Sequence, residues 1–383
     1  MHTSLFWQGA AFTAAAVFFV AVSTWWLYFS PTKQSPDTTL APSPKMASRT
    51  ALILGIASAL MIIGALWDAS MHISTGIVPG GDDFLWPPHL LIYSGFLLSW
   101  LVALLAVFEI ARQGRRSGTR DPRLWLRQNP YVGIVVLASF YALASIPGDA
   151  IWHELFGIDL TAWSPPHIML GITNAAVLVS AIGLLVQIRP GLTAPRRADL
   201  ALQSLLALMF NFIYIIGVLE WELPTVRSAF VEARPIWLYP LVGGASAFFT
   251  LMLAKRLTNT RWAALTTALI FYAIRLSITF GLDVTENIAP YFPLVFFLGA
   301  LLLDIIPWPR LASPFRRSLA AAALYTAGFL ALALPQLAAR SDLPAFTAAD
   351  ILFTALLTLA ACLAFAYLAA WAAGALLGAQ AES

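Results

Sequence analysis

The sequence predicts an all-α, polytopic transmembrane helix bundle of about eleven helices, each a stretch of about twenty apolar residues. Three observations carry that prediction. Of 383 residues, 60% are hydrophobic and only 11% are Asp, Glu, Lys or Arg; the mean hydropathy is +0.79, well outside the range of water-soluble domains. The apolar stretches recur along the whole chain, each long enough to cross a bilayer as a helix. Lys and Arg collect in every second link between them. Backbone groups in lipid must be satisfied within their own segment, so the stretches are helices and not strands.

Taken in order, the stretch near residues 5–28 lacks a basic leader, exceeds the apolar core of a signal peptide and precedes a basic link. It therefore reads as a retained span, with residues 1–30 as a first transmembrane helix. Residues 31–49, rich in Pro, Ser and Thr, are expected to form a flexible cytoplasmic linker. Residues 50–188 divide into two tandem helix pairs, 50–111 and 130–188, from stretches near 50–70, 88–111, 130–152 and 166–188. Residues 199–383 form a C-terminal helix bundle, from stretches near 199–220, 236–256, 261–282, 290–307, 317–339 and 350–378.

Charge sets the expected orientation. Basic links carry Lys33, Lys45 and Arg49; Arg112, Arg115, Arg116, Arg120, Arg123 and Arg127; Arg189, Arg196 and Arg197; Lys255, Arg256 and Arg261; and Arg310, Arg316 and Arg317. The alternate links are acidic or mixed, with Asp82 and Asp83, Glu154 and Asp159, Glu220, Glu222 and Glu232, then Asp283 and Glu286. The positive-inside rule places the first set in the cytoplasm, the N-terminus outside and the C-terminus inside, in the inner (plasma) membrane of a cell. The basic pI of about 9.1 then reflects contact with anionic headgroups of the lipid bilayer and not with nucleic acid. No phosphate-binding glycine loop, nucleotide fingerprint, nucleophile elbow or zincin helix is present, which excludes a nucleotide-driven pump from the reading. The single cysteine, Cys362, lies in the last apolar stretch, so there is neither a disulfide framework nor a thiolate metal cluster.

Chemistry concentrates in a repeated motif. Asp68 and His72 are followed by Trp86-Pro87-Pro88-His89; Asp149 and His153 are followed by Trp163-Ser164-Pro165-Pro166-His167. Four of the five histidines lie in this pattern, the fifth being His2. Asp and His four apart share one helix face, and Pro-Pro starts a new helix immediately before each third residue. Each repeat thus brings one carboxylate and two imidazoles to the corner between two helices, on the outer side of the membrane. Nitrogen and oxygen donors of this kind suit copper, zinc, iron or nickel. Met71 and Met169 neighbour His72 and His167; they serve either as soft axial ligands or as packing. Two other readings compete with metal binding: an Asp–His hydrogen bond in each repeat that is purely structural, and a proton relay.

Further polar groups lie around these corners. Asn174, two turns beyond His167, is a deeper polar neighbour or a packing residue; Glu220 and Glu222 are acceptors that orient an imidazole, or a solvated helix end. Arg275 and Asp304 fall at matching depth and are expected to pair. Trp67, Trp86, Trp152, Trp163, Trp221 and Trp237 fall at outer helix ends, as an interfacial belt does.

The second repeat resembles the metal-binding stretch of the C subunit of copper membrane monooxygenases, the particulate methane and ammonia monooxygenases. That family carries Asp-x-x-Trp-His, a second Asp six residues after the His, then an aromatic, Ser or Thr, Pro and a further His. Asp149, Trp152, His153, Asp159, Thr161, Trp163, Ser164, Pro165 and His167 match in type and order, with one extra residue before the last His. Gly217-Val218-Leu219-Glu220-Trp221 is similar to the family's Gly-Leu-Asn-Glu-Trp, but Leu219 replaces an Asn ligand and Leu223 a nearby His. The resemblance covers roughly residues 130–250. It implies a copper site at Asp149, His153 and His167, beside Asp159, and a copper-dependent oxidoreductase acting on a small apolar substrate. Asp68, His72 and His89 lie outside it and extend the same donor set. The alternative is a non-catalytic metal-handling or transport protein, or an integral subunit assembled with other membrane subunits. The strongly apolar helices below the corners weigh against a transport track.

Overall fold

The computed structural model describes residues 11, 14–15, 18–19, 21–30, 43–75, 85–118, 121–156, 165–191, 194–218, 237–288, 290, 292, 294–306, 313–339 and 346–378; the side chains of 28, 73, 75, 144, 150, 153–156, 216 and 217 are not among them. Every regular element among the described residues is a helix. They are α1 (Pro44–Thr75), α2 (Pro87–Arg116), α3 (Pro122–Gln128), α4 (Pro130–Phe156), α5 (Pro165–Ile188), α6 (Pro195–Val218), α7 (Ala245–Leu257), α8 (Ala263–Glu286), α9 (Phe297–Ile305), α10 (Pro314–Ala338) and α11 (Ala348–Gly378), with a π-helical turn Trp25–Phe29 ahead of α1. Proline opens α1 to α6 and α10, where its missing N–H would be unsatisfied in any case and its fixed φ suits a first turn.

Among the described residues, eight helices are long and apolar enough to cross a membrane: Pro44–His72, Pro87–Arg116, Pro130–Asp149, Pro165–Ile188, Pro195–Ile215, Ala263–Glu286, Pro314–Ala338 and Ala348–Gly378. Leu101, Leu105 and Phe108 of α2 and Leu352, Leu356 and Trp371 of α11 are exposed, an apolar surface suited to lipid and costly in water. The expected stretch at 236–256 is helical from 238 to 257, with a π-helical turn, Pro240–Gly244, running directly into α7. A side chain at Gly244 would bring its Cβ within 2.7 Å of the Phe329 ring, so glycine at the end of this turn lets that ring approach the backbone. At 290–307 the regular helix is the nine-residue α9. Part of the stretch at 5–28 lies outside the described residues.

The chain divides into two compact units, residues 1–72 with 76–193, and residues 194–382 with 73–75. In the first, α1 and α2 approach through glycine. A Cβ at Gly64 would stand 2.6 Å from the Pro88 carbonyl oxygen, and one at Gly95 would stand 2.5 Å from that of Ala57. Small residues let membrane helices pack backbone to backbone. Gly64 is one turn before Asp68, so Gly64→Ala is expected to spread the helix pair at the level of the corner. It should cost about 1–3 kcal/mol, read as a lower unfolding temperature in detergent.

On the opposite side of this unit, α3 ties down the end of the first helical segment. Arg127 donates from Nε to the Leu27 carbonyl and from Nη2 to that of Ser30, while Arg123 Nη1 donates to Ser30 Oγ at 3.0 Å. The arginines satisfy carbonyls that a helix C-terminus leaves open and sit at its negative pole. Loss of these charged hydrogen bonds in Arg127→Ala is expected to cost about 1.5–3 kcal/mol, measured by thermal unfolding. Asp121 caps α3, accepting from the Arg123 backbone N–H at 2.9 Å and from its guanidinium. The Arg123 guanidinium holds the Asp121 carboxyl below the usual carboxylate range. Its contribution to stability is therefore present at neutral pH and is lost as acid protonates it.

The second unit is built on an aromatic core. Phe210 of α6 stacks on Phe271 of α8 at 3.9 Å, and Tyr214 meets Phe296 edge-on at 5.2 Å. Arg275 is fully buried here, with its Cζ 5.9 Å from the centre of the Tyr214 ring. The expected Arg275–Asp304 pair is replaced by another arrangement. Asp304 takes Lys255 Nζ at 2.7 Å and the backbone N–H groups of Ala264 and Leu265 at 3.3 and 2.8 Å. The carboxylate therefore serves the N-terminus of α8, about 15 Å along the helix from Arg275 at 1.5 Å per residue. The expected match in depth does not hold: the carboxylate is taken by a positive helix terminus and a lysine instead.

A candidate carboxylate–imidazole centre

α1 ends and α2 begins on the side of the first unit opposite to α3, and there Asp68, His72 and His89 meet. Asp68 and His72 are one turn apart on α1, and His89 is the third residue of α2. Their placement follows from local rules: an i, i+4 pair on one face, and a Pro-Pro start that fixes where α2 begins. His72 Nε2 lies 3.3 Å and His89 Nε2 3.2 Å from the same oxygen, Asp68 Oδ1. Asp68 and His72 are buried. The oxygen accepts no well-aligned hydrogen bond among the described residues despite these short separations.

Trp86 walls the cluster. Its ring centre is 5.9 Å from that of His72 and 5.5 Å, edge-on, from that of His89. On the other side the His89 ring lies 5.9 Å from Tyr93, again a one-turn spacing on a helix. By sequence Trp86 belongs to an interfacial belt; its position three residues before His89 is the signal that it packs on the imidazoles. Met71 and Met169 are both buried.

The second corner is formed by Asp149 near the end of α4 and His167 at the start of α5, with His167 Nε2 3.4 Å from Asp149 Oδ1. Pro147 stands inside α4, two residues before Asp149. A proline at that point removes one backbone hydrogen bond and crowds the preceding turn, just below the carboxylate. The two corners belong to the same unit. Asn174, expected as a deeper polar neighbour, accepts a hydrogen bond from Ser58 of α1 at 2.7 Å through its Oδ1. That bond ties the first helix pair to the second. The His153 side chain, Asp159, Glu220 and Glu222 lie outside the described residues.

Two imidazole nitrogens and a carboxylate oxygen are a suitable donor set for copper, zinc or iron. Donors about 2.0–2.2 Å from one tetrahedral ion stand roughly 3.3–3.6 Å from each other, close to the separations at both corners. As the side chains lie, however, no group of three or more His, Cys, Asp or Glu among the described residues is arranged to hold a metal ion. Asp68 Oδ1 itself occupies the point on which the two imidazoles converge. The donor chemistry fits a metal; the arrangement is that of a contracted ion-pair cluster.

Together the fold and this centre define a multi-pass helical membrane protein with a buried carboxylate–imidazole cluster at one end of its first unit. No family model matches the chain, and no curated protein or solved structure does.

Proposed function

We propose that the Asp68–His72–His89 cluster binds a transition-metal ion, copper ahead of zinc or iron, and that Asp149, His153 and His167 supply a second donor set. The observation that carries this reading is the convergence of two imidazole nitrogens on one buried carboxylate oxygen. Asp68 supplies negative charge, His72 and His89 supply neutral nitrogen, and Trp86 limits the freedom of both rings. Bound copper would supply one-electron redox chemistry at this point. Asp159, Asn174 and Glu220 are the polar groups assigned to orient or support the second donor set. The resemblance to the copper monooxygenase C subunit supports an oxidoreductase acting on a small apolar substrate. In that reading the chain crosses an inner membrane about eleven times, with its N-terminus outside, its C-terminus in the cytoplasm and both corners facing the periplasm. Other membrane subunits would then be its protein partners. Copper(II) spectra test the ligand assignment: His72→Ala and His89→Ala are each expected to remove one nitrogen coupling, and unchanged spectra would contradict it.

A second reading is a non-catalytic ion-pair cluster in which the imidazoles neutralise Asp68 and hold the corner together. The contracted arrangement favours it, since no described group is set to hold a metal. Under this reading the histidine variants lose stability and no metal is found in any of them.

A further inference from the structure

In the second unit α7 and α10 run antiparallel, and their contacts advance in steps of four residues. A Cβ at Gly244, just before α7, would stand 2.7 Å from the Phe329 ring. One turn on, the Phe248 and Tyr325 ring centres are 5.1 Å apart. The next step pairs Met252 with Ala321, both fully buried, and the one after it pairs Arg256 with Arg317. The register of the two helices therefore sets one guanidinium against another. Arg256, in a basic link, is held below its ordinary range, first by partial desolvation and then by the Arg317 charge. Its neighbour Lys255 has a carboxylate partner, Asp304, at 2.7 Å; Arg256 makes no ion pair among the described residues. Arg316 and Arg317 also stand in the first turn of α10, the positive pole of that helix, where a cation is disfavoured.

We infer that Arg256 and Arg317, with Arg316 at their edge, clamp the phosphate of an anionic phospholipid headgroup. A phosphate relieves the repulsion between the two guanidiniums and the pole of α10 at once, and the planar guanidinium fork matches its oxygens. Basic pockets between membrane helices hold anionic headgroups by this chemistry. The surroundings select a lipid over free phosphate. Phe315 and Leu319, which flank Arg316 and Arg317 on α10, are 53% and 39% exposed, an apolar surface on which acyl chains can lie. Trp262, at the start of α8, is also exposed, with the Arg261 Cζ 5.0 Å from its ring centre. Tryptophan of this kind marks headgroup depth. The site lies wholly in the second unit and is independent of any metal at Asp68.

Native mass spectrometry of the full chain, stripped of lipid in detergent and titrated with phosphatidylglycerol or phosphatidylcholine, tests the site. The wild type is expected to hold phosphatidylglycerol at least about tenfold more tightly, and Arg256→Gln/Arg317→Gln to lose that preference. Arg256→Lys keeps the charge without the fork and should fall between them. Arg115→Gln/Arg116→Gln removes the same charge from two exposed arginines of the first unit and should leave the preference intact. Equal binding of the two lipids by the wild type, or equal loss in both double variants, would overturn the inference. Displacement of phosphatidylglycerol from the wild type by millimolar inorganic phosphate would also overturn it, making this a site for free phosphate. Arg256→Gln alone, at an exposed residue, carries the same comparison if the double variant does not fold.

Discussion

Asp68→Ala is expected to weaken copper binding at least about tenfold, the lower end of what is lost even when a residue that only orients a ligand is removed. The variant deletes the one oxygen on which His72 and His89 converge at 3.3 and 3.2 Å. Asp68→Asn is the informative companion, because it keeps the shape and removes the charge. If the site holds a cation, both substitutions lower affinity and the alanine variant lowers it more. If the cluster is an ion pair without metal, both lower the unfolding temperature and neither changes metal content. Titrating copper against a competing chelator, beside a thermal melt of each variant, separates these outcomes.

The largest effect on stability is expected in the second unit. Asp304→Ala removes the partner of Lys255 and the acceptor for two backbone N–H groups of α8. The Asp304 side chain is fully buried, so the loss should cost about 3–5 kcal/mol, as for other buried pairs broken on one side. Replacing both members, as Lys255→Met with Asp304→Leu, should be less harmful than Asp304→Ala alone. A half-buried lysine that loses that carboxylate costs more than two apolar side chains that fill the same space. Thermal unfolding in detergent reads both; equal stability of Asp304→Ala and wild type would contradict the assigned role.

What is legible in the sequence is mainly what local rules govern. The apolar stretches mark the eight long helices, because length and hydropathy determine what can cross a bilayer. The meeting of Asp68, His72 and His89 is legible too, since a one-turn spacing and a Pro-Pro helix start fix positions without knowledge of the rest of the fold. Long-range pairing is not. Ser58 and Asn174 are 116 residues apart, and no spacing rule links them. Counting residues into each stretch pairs Arg275 with Asp304, but that count ignores which helix end faces a carboxylate. The π-helical turn at Pro240–Gly244 is hidden for a similar reason: the stretch is apolar throughout, and the packing of Phe329 against it comes from another helix.

The central claim is tested most directly by elemental analysis of the detergent-purified full chain, wild type beside a His72→Ala/His89→Ala double variant. The account predicts copper that stays with the wild type through dialysis and is at least about tenfold lower in a folded double variant. Equal, negligible metal in both, after loading with copper, zinc or iron, would contradict it and leave the Asp68 cluster as a structural ion pair.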